Sequence, residues 1–87
     1  MYKLEYDEEW DNHFEKVPIQ IQRRFLKRKN KYESHPKFRH ELHGVPYFVD
    51  EISQYRICFT EPIKDNVRKF YFIGKHKDYL AWLRKHK

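Results

Sequence analysis

The sequence predicts one α+β domain over residues 1–87: an antiparallel-rich four-stranded sheet, an N-terminal helical hairpin on one of its faces and a short C-terminal helix. Two β-prone runs, Tyr55 to Thr60 and Val67 to Ile73, point to the sheet. Apolar residues at helical spacing, Trp10 with Phe14 and then Ile21 with Phe25 and Tyr32, point to the helices. Length and composition set the scale. Eighty-seven residues leave no room for a second domain. An aromatic content of 18%, from seven Tyr, seven Phe and two Trp, supplies a core that a disordered chain lacks. With 37% of residues charged and 39% hydrophobic, a large internal ligand cavity is excluded and any site is a surface groove.

Tyr2, Leu4 and Tyr6 alternate with Lys3 and Glu5 and make a short half-buried strand. Asp7 then caps a helix whose first turn holds Glu8 and Glu9, where acids suit the helix dipole. Val17-Pro18 closes that helix and opens the next, with proline in an allowed first-turn position. The second helix carries Ile21, Phe25 and Tyr32 on one side, with Leu26 alongside, and Arg23, Arg24, Lys27 and Lys31 on the other. Ser34-His35-Pro36 stops it. After a polar link, Tyr47 to Glu51 is a strand, Ser53-Gln54 a turn, and Tyr55 to Thr60 a strand with Tyr55, Ile57 and Phe59 on one face and Arg56, Cys58 and Thr60 on the other. Val67 to Ile73 is an interior strand ended by Gly74, and Tyr79, Trp82, Leu83 and His86 mark the last helix. The face opposite the hairpin is expected to form a basic groove.

Cys58, the one cysteine, makes neither an internal disulfide nor a zinc quartet, and its apolar setting reads as a buried, reduced thiol. No stretch reaches the ~18 apolar residues of a membrane span, and the acidic amino terminus is unlike a signal peptide. A soluble, cytoplasmic protein with no membrane partner is expected. The net charge of +6 is unevenly spread, because residues 1–15 hold six acids against Lys3 alone. The bases fall in the second helix, at Arg56, and from Lys64 to the end, so a polyanion is the natural partner. Tyr, His and Trp interleaved with the last group favour RNA, whose bases stack on such rings.

Arg56 is the leading candidate residue. A guanidinium in an alternating apolar strand either faces an open surface, where its planar fork suits phosphate oxygens, or pairs internally with Asp50 or Glu51 on the neighbouring strand. His76, just past Gly74, can titrate near neutral pH, and otherwise is a surface histidine without a role. His40 and His43 flank Leu42 and can share that rim. Lys75, Lys77 and Arg68 are candidate RNA-contacting cations; Tyr79 and Trp82 either stack on bases or pack the last helix, and for Trp82, beside Leu83, packing is favoured. The histidines lack a carboxylate or cysteine at ligand spacing, so neither metal nor other cofactor is expected.

The order of elements, with the segments His40-Glu-Leu-His-Gly-Val-Pro-Tyr47, Gln54-Tyr-Arg-Ile57 and Phe72-Ile-Gly-Lys-His-Lys-Asp-Tyr79, resembles the RelE/ParE superfamily of bacterial and archaeal toxins over nearly the whole chain. In the RelE branch this resemblance implies a ribonuclease that enters the ribosomal A site and cuts messenger RNA; in the ParE branch, an inhibitor of DNA gyrase. Both imply a cognate antitoxin. Tyr55-Arg56 looks like the family's Tyr-Arg pair, whose arginine contacts the cleaved phosphate. Gly74-Lys75-His76 looks like the motif that ends in a catalytic arginine in some members and a histidine in YafQ-like ones, and His40 like the histidine of YafQ-like members. Tyr79 or Trp82 falls where the family carries a carboxyl-terminal aromatic. The two lysines that RelE proper carries on its second strand fall near Phe48 and Asp50 here. Metal-free cleavage needs a base for the 2′-hydroxyl, a cation for the phosphorane and an acid for the departing oxygen. A ribosome-dependent messenger-RNA endoribonuclease is the expected function; a gyrase inhibitor, or a degenerate RNA-binding member, is the alternative.

Overall fold

The chain was analysed as a computed structural model that describes residues 1–35, 38–40, 46–61 and 66–86, with 39 and 40 as backbone. Its elements are β1 (Lys3–Tyr6), α1 (Trp10–Glu15), α2 (Ile19–Lys27), α3 (Lys29–Ser34), β2 (Arg39–His40), β3 (Tyr47–Ile52), β4 (Tyr55–Thr60), β5 (Val67–Lys75) and α4 (His76–His86). The sheet runs β1-β5-β4-β3-β2, antiparallel except where β1 lies parallel to β5. The α+β architecture is the expected one. The four anticipated strands are all present, and the two-residue β2 adds an edge.

Local chemistry moves some boundaries. The first helix begins at Trp10, not at Asp7, because the Asp7 carboxylate accepts the Glu9 N–H at 3.1 Å and its carbonyl accepts the Trp10 N–H at 2.9 Å, which closes a turn ahead of the helix. The second helix is split at Arg28, whose φ of −88° and ψ of 0° break the α-helical geometry between α2 and α3. Ser53-Gln54 is the two-residue turn between Ile52 and Tyr55, with Ser53 at φ 56°. Gly74 does not end β5, which continues to Lys75 and passes into α4 without a loop.

Alternation on β4 sorts its side chains as the sequence implies: Ile57 and Phe59 enter a cluster with Trp10, Ile21, Phe25, Tyr32 and Phe70, and Tyr55 packs against it. Phe25 sits at its centre, with ring centroids 5.1 Å from Trp10 and 5.6 Å from Phe70. Such tilted and edge-on pairs add to the burial of apolar area. Cys58 is fully buried on the opposite face with Val49, Phe72, Tyr79, Trp82 and Leu83. That face was expected to be an open groove and is instead covered by α4, because Tyr79, Trp82 and Leu83 form an apolar stripe that needs a sheet to bury it. A register slip on β5 prepares this face: Cys58 pairs with Phe72 and Phe59 with Phe70, leaving Tyr71 as an extra residue. Tyr71 and Phe72 consequently both point towards α4, whereas Phe70 and Ile73 point away. Among the described residues no helix is long and apolar enough to cross a membrane.

Candidate active site

Arg56 lies one residue past the β3–β4 turn, paired across the sheet with Glu51 on β3 and Gly74 on β5. Its guanidinium is 3.8 Å from Glu51 Oε1 and lies 5.6 Å from the Tyr79 ring centroid. Both sequence readings of this arginine therefore hold, since it is ion-paired and also lines a shallow groove of about 520 Å³. The other charged or titratable walls of the groove are Glu51, Lys75, His76 and Lys77. Glu51 is about half exposed, with 47% of its side chain accessible. A pair with such a partner is worth under about 1 kcal/mol, so a phosphate can compete for the guanidinium.

Gly74 pairs with Arg56 across the sheet and lies two residues before His76. A Cβ at this position would lie 2.7 Å from Phe72 Cζ and 3.7 Å from Asp78 Cβ. A methyl there would press on the Phe72 ring of the same strand, whereas the first turn of α4 lies at ordinary contact distance and places exposed His76 and its flanking lysines on the groove.

Other expected site residues lie elsewhere. Arg68 is completely buried and does not face the groove: Nε donates to Glu61, Nη1 donates to the Tyr32 carbonyl at 2.7 Å, and the Tyr2 ring lies 3.7 Å from the guanidinium carbon. It is an internal cation that the aromatic cluster closes over. Trp82 is also interior, stacked with Phe72 at 5.3 Å, so an extended base-stacking surface is not offered there. Tyr79 is wholly buried and supports Arg56 from beneath, out of reach of a substrate. The backbone of His40 pairs with Phe48 at the far edge of the sheet; two strand spacings across and three residues along put it about 14 Å from Arg56. Its side chain, and the whole of His43, lie outside the described residues.

The helical bases divide too. Arg23, Arg24 and Lys27 are exposed, but Arg28 and Lys31 turn inward to Asp50 Oδ2 at 3.0 and 3.7 Å. Tyr32 donates to the same oxygen at 2.9 Å, and burial, reinforced by that carboxylate, raises its phenol far above the ordinary pKa. Asp50 is thus an anchor for α3.

A second, larger hollow of about 860 Å³, between α1 and α4, had no signal in the sequence. His13 and His86 come to it from opposite ends of the chain, and burial, ahead of the nearby Lys16 ammonium, holds the His13 imidazole below its usual pKa.

No protein-family profile and no curated protein sequence matches the chain. Solved structures match in three dimensions. The isolated RelE toxin of E. coli superposes with a TM-score of 0.72 over 100% of both chains at 18% identity. A chain of the intact E. coli RelBE toxin-antitoxin complex gives 0.72 at 19% identity, covering 86% of this chain and 96% of that one. A chain of the archaeal RelE-RelB complex from Pyrococcus horikoshii OT3 gives 0.68 at 22% identity, covering 85% and 93%. The fold is that of the RelE toxins.

Proposed function

We propose that this chain is the toxin of a type II toxin-antitoxin pair, a cytoplasmic, ribosome-dependent endoribonuclease that cuts messenger RNA in the A site without metal. The groove carries the reading: one stretch of backbone pairing sets Arg56 opposite Gly74, and the chain then runs directly into Lys75, His76 and Lys77. The RelE fold supports it, and so do the RelB antitoxins that accompany similar chains. A cognate antitoxin that shields the groove or its flanking helices is expected to co-purify when expressed with the toxin.

Arg56 holds the scissile phosphate and stabilises the charge that builds on its oxygens, with Lys75 and Lys77 adding to the positive field. The 2′-oxygen forms a bond to phosphorus as the bond to the 5′-oxygen breaks, leaving a 2′,3′-cyclic phosphate and a 5′-hydroxyl. Two side chains that line the groove can carry the protons: Glu51 accepts the 2′ proton, and His76 delivers one to the 5′-oxygen. Tyr79 positions the guanidinium.

Programmed ribosomes with primer-extension mapping provide the test. His76→Gln keeps part of the ring's hydrogen bonding without its proton transfer and is expected to cut poorly, as is His76→Ala. Normal cutting by His76→Gln would reassign proton transfer. If neither it nor Arg56→Ala reduces toxicity, and DNA supercoiling fails before translation, the chain is a gyrase inhibitor instead.

A further inference from the structure

We propose that the hollow between α1 and α4 is a nucleobase subsite, taking one base of the strand whose phosphate lies at Arg56. The inference rests on the nuclease reading and extends it beyond the groove.

Seven rings line the hollow, and four of them meet in pairs at its walls. The His13 ring meets Phe72 edge-on at 4.7 Å, and His86 stacks on Trp82 at 4.5 Å with an interplanar angle of 17°. His86 Nδ1 is 2.8 Å from the Trp82 carbonyl oxygen. A carbonyl only accepts, so Nδ1 is the donor of this contact and Nε2 is left to face a ligand. Trp82 is therefore mostly covered, and the exposed ring of His86 is the stacking surface in its place. A hollow with an aromatic wall and polar edges fits a flat, polar-rimmed molecule, which describes a base.

Charge fixes the orientation. Lys75 lines both hollows, so a strand leaving Arg56 reaches the second one past a cation, with Lys85 on the α4 side. Asp7, Glu9 and Asp78 line it as well. Their carboxylates repel a phosphate but accept N–H donors, so the phosphate remains at Lys75 while the base enters. Guanine, with an imino and an amino donor on one edge, suits a carboxylate best; uracil, with a single N–H flanked by carbonyls, suits it least. An acidic protein segment would meet the same repulsion as phosphate.

Uncleavable 2′-O-methyl dinucleotides, GpG and UpU, titrated against the full chain and followed by amide chemical shifts, test the subsite. GpG is expected to bind more tightly than UpU. His86→Ala should weaken GpG roughly tenfold, as expected for loss of one base–aromatic stack, and His86→Phe should restore most of it. Arg56→Ala should weaken both dinucleotides alike. Unchanged GpG binding in His86→Ala overturns the subsite, and if Arg56→Ala still weakens both, the nuclease groove stands without it. Loss of antitoxin binding in His86→Ala with dinucleotide binding intact would make the hollow a protein contact and likewise overturn the subsite. Failure of Arg56→Ala to weaken either dinucleotide removes the groove reading and the subsite with it.

Discussion

On one face of the sheet three helices enclose a cluster of aromatic and aliphatic side chains, backed by the paired cations Arg28 and Arg68. On the other face one eleven-residue helix supplies the cover, and both hollows open beside it. On the first face Arg28 and Arg68 are paired internally, although Arg68 Nη2 is buried without a hydrogen-bond partner among the described residues, and Arg23, Arg24 and Lys27 stand exposed on α2. The second keeps its cations at the rim, on the end of β5 and the first turn of α4, where they can be reached. The larger buried cluster and the groove at Arg56 thus lie on opposite sides of one sheet.

Phe25→Ala should break the thick face most severely, by about 3–5 kcal/mol, because it leaves a cavity among Trp10, Tyr32 and Phe70. Urea unfolding measures this, and a loss below about 1 kcal/mol would show that stability lies elsewhere. Arg56→Ala probes the thin face: cleavage should fall at all pH values by roughly 10²-fold, about 2.7 kcal/mol of barrier. Its urea midpoint should move less than in Phe25→Ala, since the Glu51 partner is half exposed and the contact with the Tyr79 ring leaves no large cavity behind. Gly74→Ala presses a methyl on the Phe72 ring beneath α4; about 1–3 kcal/mol of stability should be lost, with cleavage reduced as displacement of that ring disturbs the packing of α4. An unchanged melting curve would mean that Phe72 yields freely.

The smallest effect is on pH. Since the His13 pKa is lowered in the folded state, mainly by burial, the unfolded chain takes up that proton more readily. The native state has the full contribution above about pH 6.5 and loses it as pH falls from there through the depressed value. The ring is partly solvated, so this contribution is the smallest of those considered. Comparing urea unfolding of wild type and His13→Gln at neutral and mildly acidic pH measures it, and equal slopes would remove His13 as the cause.

The regions that followed a simple period were legible. Tyr55, Ile57 and Phe59 against Arg56, Cys58 and Thr60 gave β4 its limits and its two faces, and helical spacing gave the hairpin and α4. The extra residue at Tyr71 broke the pattern on β5, because a bulge depends on the partner strand as much as on its own sequence. Arg68 was read as exposed on the strength of its charge. It shares a face with Phe70, and what lets it stay inside is Glu61 together with a backbone carbonyl of α3, neither of which a local pattern identifies. Arg56 and His76, which line one groove, stand out in the sequence by residue type and position; the hollow lined by His13 and His86 does not, because only the folded chain brings its walls together.

The direct passage from β5 into α4 bears on how far such a sequence can drift. The separation of Arg56 from His76 is measured along a ladder of main-chain hydrogen bonds that ends at Gly74 and Lys75, without an intervening loop to lengthen or shorten. Peptide groups are the same whatever side chains they carry. The aromatic lining on either side can therefore be exchanged piece by piece while the distance between the two groups is kept. A geometry written in the backbone is compatible with a shape match over the full chain at only 18% identity.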